Sequence, residues 1–238
     1  MLDVVDEDID VTQKTKGGPK QTKIILGAVI IIAVAVAAVL VIFSSQPSFS
    51  EQAFDYSQIP QNRTDDGAFI LGDPAAPITI VAFEDFLCGH CQSYKSTVDQ
   101  LISQYVAKGM ARFEYRFTPV VDPAYSRLSA QLAECSDTLR PGSFWNAHDL
   151  LYELASARRF NDNSARSFAD EMNMPYADLL ECSGDATQVD IDTQFATQLQ
   201  VRGTPTVFFR LSDGVPQPSP FSNQPNIEQL GALIEQFS

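Results

Sequence analysis

The sequence predicts an α/β domain that carries a helical insertion and is preceded by one transmembrane helix, and three observations lead there. Residues 24–43 form a run of twenty residues without a charge, rich in Ile, Val, Leu and Ala. From Ile78 to Phe117 the patterning passes from strand to helix to strand. From Asp122 to about Leu199 it is helical throughout, before a last strand and a last helix close the chain.

Taken in order, residues 1–23 are acidic and then lysine-rich, too short and polar to fold alone, and are expected to be a cytoplasmic tail. The uncharged run 24–43 is long enough to cross about 30 Å of hydrocarbon as a helix. Lys14, Lys16, Lys20 and Lys23 precede it, and no Lys or Arg follows until Arg63. The excess of positive charge places the N-terminus in the cytoplasm and everything after Ser44 outside the cell membrane. A cleaved signal peptide is the competing reading. The apolar run is long for one, and Val41-Ile42-Phe43-Ser44-Ser45-Gln46 lacks a small-x-small cleavage pattern. Residues 44–66 are polar, contain Pro47 and Pro60, and read as a linker that tethers domain 67–238 to the bilayer.

Within that domain, Ile78 to Phe83 is a continuous apolar run suited to a buried strand. Tyr94, Val98, Leu101, Ile102 and Tyr105 follow at helical spacing, with Gly109 as the expected stop. Arg112 to Phe117 alternates charged and aromatic residues, as a half-exposed strand would. Strand, helix and strand in that order imply a right-handed βαβ unit with a parallel pair. The insertion, about 122–200, shows successive helical sets: Leu128, Leu132 and Cys135, then Leu150, Leu151 and Leu154, then Tyr176, Leu179 and Leu180. Thr206 to Leu211 returns to a strand and Gly214 to Pro225 is turn-rich. Ile227, Leu230, Ile234 and Phe237 mark a closing amphipathic helix. Phe83, Phe113, Phe117, Phe208 and Phe209 stand at strand spacing and read as core.

The chemistry is concentrated in Cys88-Gly89-His90-Cys91, where a strand gives way to a helix. Thiols at i and i+3 of a helix lie about 5 to 6 Å apart on one face, so a disulfide between them opens and closes without backbone movement. Cys88, at the helix N-terminus, faces unsatisfied N–H groups and the positive end of the helix dipole, which favour a thiolate and make it the expected attacking sulfur. Cys91, one turn inside, is expected to be more buried and to resolve a mixed disulfide. His90 can donate a hydrogen bond or positive charge to the Cys88 thiolate, which would make the disulfide more oxidising. The same C-x2-C spacing serves zinc. No second C-x2-C or H-x3-H accompanies it among Cys135, Cys182 and His148, so neither a metal nor any other bound cofactor is expected. An inert structural bridge is disfavoured because so short a loop constrains the unfolded chain little.

Cys135 and Cys182 lie 47 positions apart in the helical block. In an oxidising compartment they are expected to form a structural disulfide worth roughly 4 kcal/mol, with a second redox pair or free buried thiols as alternatives. His148, beside Trp145 and Asp149, reads as a hydrogen-bonded helix residue rather than a catalytic base. The net charge of −14 argues against nucleic acid and against adhesion to anionic lipid.

Two stretches, Gly72-Asp73-Pro74-Ala75-Ala76-Pro77 through Cys91 and Val201-Arg202-Gly203-Thr204-Pro205-Thr206-Val207-Phe208-Phe209, resemble the DsbA-like branch of the thioredoxin superfamily, with the helical block between them. The resemblance covers about Gly67 to Ser238. It implies a thioredoxin fold with a helical insertion and extracytoplasmic thiol-disulfide oxidoreductase activity. It further implies that Pro205 is a cis proline facing the active-site disulfide and that Thr204 presents backbone groups to a bound substrate peptide. The partners implied are reduced or misoxidised exported proteins and a quinone-linked membrane redox partner that recycles the active site. Two features depart from the family's pattern. Gly89-His90 is similar to the dipeptide of eukaryotic disulfide isomerases, which keeps isomerase or reductase as alternatives to oxidase. The family's buried acidic residue, six positions before the first cysteine, is replaced by Ala82, leaving Glu84 and Asp85 as candidate proton acceptors for Cys91. A non-catalytic peptide-binding module is the remaining alternative.

Overall fold

The computed structural model describes residues 54–212 and 214–237. The expected tail, the span 24–43 and the first part of the linker lie outside them. Among the described residues no helix is long and apolar enough to cross a membrane.

Six strands, β1 (Gln61–Arg63), β2 (Phe69–Leu71), β3 (Ile78–Glu84), β4 (Arg112–Phe117), β5 (Thr206–Leu211) and β6 (Gln217–Pro218), form one sheet ordered β1-β2-β4-β3-β5-β6. β3 is the central strand, and all seven of its residues are buried. It pairs in parallel with β4, from Thr79 opposite Arg112 to Glu84 opposite Phe117, and antiparallel with β5. This is the expected βαβ unit, with α1 (Gly89–Leu101) as its crossover, extended by a π turn at Ile102–Val106. Gly109 adopts a left-handed φ of 72°, where the chain leaves that helical run.

The hairpin at the start of the described residues was not expected. Residues 56–66, assigned to the tether, are folded: Tyr56 is buried, and β1 pairs with β2 from Gln61 opposite Leu71 to Arg63 opposite Phe69. The signal for this hairpin is Asp66-Gly67, with Gly67 at a φ of 94° that a side chain would resist.

β4 also differs from expectation. Instead of a half-exposed strand, Phe113 to Phe117 are all buried. Phe113, Tyr115 and Phe117 meet Phe144, Trp145 and His148 on one face. Glu114 and Arg116 point to the other, where the insertion covers them. Alternation of polar and apolar residues reports a solvated face only when nothing packs on the polar side.

The insertion comprises α2 (Tyr125–Leu139), α3 (Phe144–Ser156), α4 (Ser164–Glu171), α5 (Tyr176–Asp185) and α6 (Gln188–Gln198), and α7 (Ile227–Glu235) closes the chain. α3 lies on the α1 side of the sheet, joined to it by the Lys95–Asp149 ion pair at 3.0 Å. α6 covers the opposite side, where Phe195 packs on Phe83 and Ala196 joins Val81, Phe83 and Phe208. Cys135 in α2 and Cys182 in α5 are disulfide-bonded. The bridge closes a 47-position loop and so removes roughly 4 kcal/mol of unfolded-chain entropy. α7 starts with a capping box in which Asn226 and Gln229 each accept the other's backbone N–H. Of the five expected core phenylalanines, Phe83, Phe113, Phe117 and Phe208 are buried; Phe209 is partly exposed.

Candidate active site

The site forms where β3 ends. A short turn, Asp85-Phe86-Leu87, carries the chain from strand to helix, and the Cys88 N–H closes it on the Asp85 carbonyl at 3.0 Å. Cys88 is the N-cap of α1, with extended φ and ψ of −74° and 119°. Its side chain makes no capping hydrogen bond to the first turn, whose N–H groups lack helical partners. Cys88 is 7% exposed, whereas Cys91, one turn inside, is 0% exposed, and both are free thiols. His90 is exposed on the same first turn.

The second wall comes from the start of β5. The Thr204–Pro205 peptide is cis, and the Cys88 thiol donates to the Thr204 carbonyl at 3.3 Å. Residues 116 positions apart are thus brought into contact by the antiparallel pairing of β3 with β5.

The two candidate carboxylates separate in the structure. Asp85 is committed to backbone. It accepts from Leu87 N–H, and from Val120 and Val121 N–H, each at 2.9 Å, tying the active-site turn to the loop after β4. Glu84, one residue earlier, points into the sheet face beneath α1 and is 1% exposed. Its carboxyl accepts from the Tyr152 hydroxyl of α3. Burial pushes Glu84 up from 4.5 to about 7, against the opposing effects of Tyr152 and Lys95. Cys91 is pushed far above an ordinary thiol, first by burial and then by the nearby Glu84 charge. A buried thiol within reach of a buried carboxyl's charge makes the two a candidate acid-base pair. Sequence reasoning named both carboxylates. Only the strand register separates them, because a shift of one residue reverses the face.

His148 is fully buried in α3 and contacts Asp149 through Nδ1 at 3.0 Å; burial depresses its basicity. Asp149, held near 2 chiefly by His148 against the cost of burial, also receives the Tyr56 hydroxyl at 2.7 Å. Tyr152 was not among the sequence candidates. A tyrosine on an apolar helix face carries no local mark of a partner 68 positions away. Among the described residues no cluster of three or more His, Cys, Asp or Glu is arranged to hold a metal.

The raised Glu84 value has a consequence for stability. A carboxyl whose folded value lies above its unfolded one stabilises the fold below about pH 4.5, and that contribution is lost as pH rises through about 7. Glu84→Gln removes the dependence. Urea melts are expected to show the variant gaining about 3 kcal/mol on the native protein between pH 4.5 and pH 8. Parallel pH profiles for the two proteins would exclude a raised Glu84.

The thioredoxin family model matches residues 64–235. The chain is 28% identical over 169 residues to Na(+)/H(+) antiporter NhaA 3 of Salinispora tropica, covering 69% of this chain and 24% of that protein. It is 25% identical over 150 residues to disulfide bond formation protein D of Bacillus subtilis, covering 60% of this chain and 67% of that protein. The chain thus spans about a quarter of the length of the first curated relatives it matches. Among solved structures, alpha-DsbA1 of Wolbachia pipientis superposes with a TM-score of 0.60 at 17% identity, over 71% of this chain and 90% of that one. Oxidised BdbD of Bacillus subtilis does so with a TM-score of 0.56 at 23% identity, over 70% and 90%.

Proposed function

Because this chain belongs to the thioredoxin family, we propose that it is a DsbA-like, membrane-anchored thiol-disulfide oxidoreductase that oxidises cysteine pairs in exported proteins through the Cys88–Cys91 disulfide. The observation that carries this reading is the placement of Cys88: N-cap of α1, partly accessible, its sulfur 3.3 Å from the Thr204 carbonyl, with Cys91 and Glu84 buried beneath it. The similarity to a disulfide bond formation protein supports the same chemistry. The uncharged run 24–43, with lysines only on its N-terminal side, supports an anchor that holds the domain outside the membrane.

A client thiolate attacks Cys88 Sγ, a client–Cys88 S–S bond forms, and the Cys88–Cys91 bond breaks. The electron pair leaves on Cys91 Sγ, which takes the proton of the Glu84 carboxylic acid. The client's second thiolate then attacks its own disulfide-bound sulfur and expels Cys88 as the thiolate. The client has lost two electrons and the enzyme has gained them. Thr204 and cis-Pro205 supply the backbone edge beside which the client strand lies. A membrane redox partner must withdraw the two electrons to restore the disulfide. No bound cofactor enters these steps.

The test is the reduction potential of the full chain in detergent, by glutathione equilibration, with alkylation and mass mapping to separate Cys88 and Cys91 from Cys135 and Cys182. A value near about −120 mV supports a disulfide donor, one near about −180 mV the isomerase alternative suggested by Gly89-His90, and one near about −270 mV a reductase. A pair that cannot be titrated would leave only the peptide-binding module.

A further inference from the structure

Among the described residues the buried Glu84 carboxyl has one hydrogen-bond donor, and that donor comes from the helical insertion. Tyr152 Oη donates to Glu84 Oε2, and both residues are buried, at 2% and 1% exposure. Glu84 Oε1 is buried and has no hydrogen-bond partner among the described residues. Tyr152 is fixed in turn: its ring packs on Phe86 at 5.0 Å and on His148 at 5.0 Å, both near-perpendicular. A phenol held in this way cannot rotate to another acceptor without disturbing the core.

We infer that Tyr152, supplied by the helical insertion, is a positioning residue of the redox centre, holding Glu84 by one hydrogen bond so that Oε1 exchanges a proton with Cys91. This rests on the reading of Glu84 as the proton carrier. Tyr152 keeps its own proton throughout, since burial and the adjacent Glu84 charge hold its hydroxyl far above the usual phenol range.

The other groups around Glu84 do not replace this bond. From α1, Lys95 favours the carboxylate while Asp99 opposes it, and the two are ion-paired with each other. Tyr94 from α1 and Tyr115 from β4 are both pushed up, first by burial and then by the Glu84 charge, and stay neutral. Cys91 is the thiol served, and Asp85 is engaged with three backbone N–H groups. Burial works against the Glu84 carboxylate, and Tyr152 is the largest influence in its favour. Without it, Glu84 would remain protonated to higher pH.

The readout is the step in which Cys91 must lose its proton. Full-length protein carrying glutathione on Cys88 is allowed to close its disulfide. The Cys91 proton passes to the Glu84 carboxylate, Cys91 Sγ attacks Cys88 Sγ, the Cys88–glutathione bond breaks, and glutathione leaves as thiolate. In the native protein the rate should rise with pH through an inflection near 7, where Glu84 titrates. In Tyr152→Phe the inflection should move up by about one pH unit, slowing closure about fivefold at pH 7. Replacing Tyr152 by 3,5-difluorotyrosine keeps the ring and strengthens the donor, so its inflection should move down. That opposite shift is one a merely structural role cannot produce. Glu84→Gln serves as the control and should abolish the inflection. If Glu84→Gln abolishes it while both changes at Tyr152 leave it in place, Tyr152 is structural and only this inference is overturned. If Glu84→Gln leaves the inflection, the proton-carrier reading falls and takes the inference with it.

Discussion

Cys91→Ala should convert the proposed oxidoreductase into a trap. Cys88 keeps its N-cap position and its contact with the Thr204 carbonyl. It still forms disulfides with client thiols when an oxidant is supplied, but it cannot close on Cys91. Client adducts should accumulate as bands on a non-reducing gel, linked to Cys88 by mass mapping. Catalysed oxidation of a dithiol peptide should fall by at least about 10³-fold, because both sulfurs act as one unit. Cys88→Ala should lose the same activity and form no adducts. The asymmetry follows from burial: Cys88 is 7% exposed and Cys91 is 0% exposed, so a client sulfur reaches only the first. Adducts on Cys91 in the Cys88→Ala protein would reverse the assignment of roles. Full activity in either variant would remove the exchange mechanism.

Arg116→Met should produce the largest loss of stability of any single substitution away from that site. Arg116 is 1% exposed and donates to Glu114 at 2.7 Å, to Asp192 at 2.9 Å and to Asp66 at 2.7 Å, with its guanidinium 4.5 Å above the Phe195 ring. Glu114 retains a second cation in Arg210. Among the described residues Asp192 has only neutral donors besides Arg116, the Phe117 N–H and the Gln188 amide, both at 2.9 Å. Burial already lifts Asp192 to about 6 despite the guanidinium. With Arg116 gone, its charge would be buried with hydrogen bonds from neutral donors but without the Arg116 cation. Removing one partner of a buried ion pair typically costs about 3–5 kcal/mol, which is a large part of a small domain's stability. The loss should shrink at pH 5, where Asp192 takes up a proton. Denaturant melts at pH 5 and pH 8 measure both effects, and a loss below about 1 kcal/mol at pH 8 would show that the cluster does not brace α6 against the sheet.

These two sites differ in how far they can be seen from the chain alone. The C-x2-C pair is legible because its chemistry is local: two sulfurs one helical turn apart, with an apolar strand before them, need no distant partner to be recognised. Arg116 sits in a strand whose alternation suggests a wet face. Its partners Asp66 and Asp192 lie 50 and 76 positions away, and nothing near Arg116 in sequence marks them. The β1–β2 hairpin is an intermediate case. Asp66-Gly67 is a turn signal, but the strands beside it are three residues each and too short for periodicity to register.

By itself the sequence determined the strand-helix-strand order around Cys88, the extent of the helical insertion, and the presence of a thiol pair spaced for exchange. Each is written in periodicities and spacings that operate within a strand or a turn of helix. Only the tertiary structure decided which of the two carboxylates is buried beneath α1, that the second face of β4 is closed by an ion pair to α6, and that a tyrosine of the insertion reaches Glu84. Those depend on sheet register and on which helix covers which face, and both are set by the packing of the whole core rather than by any segment of it.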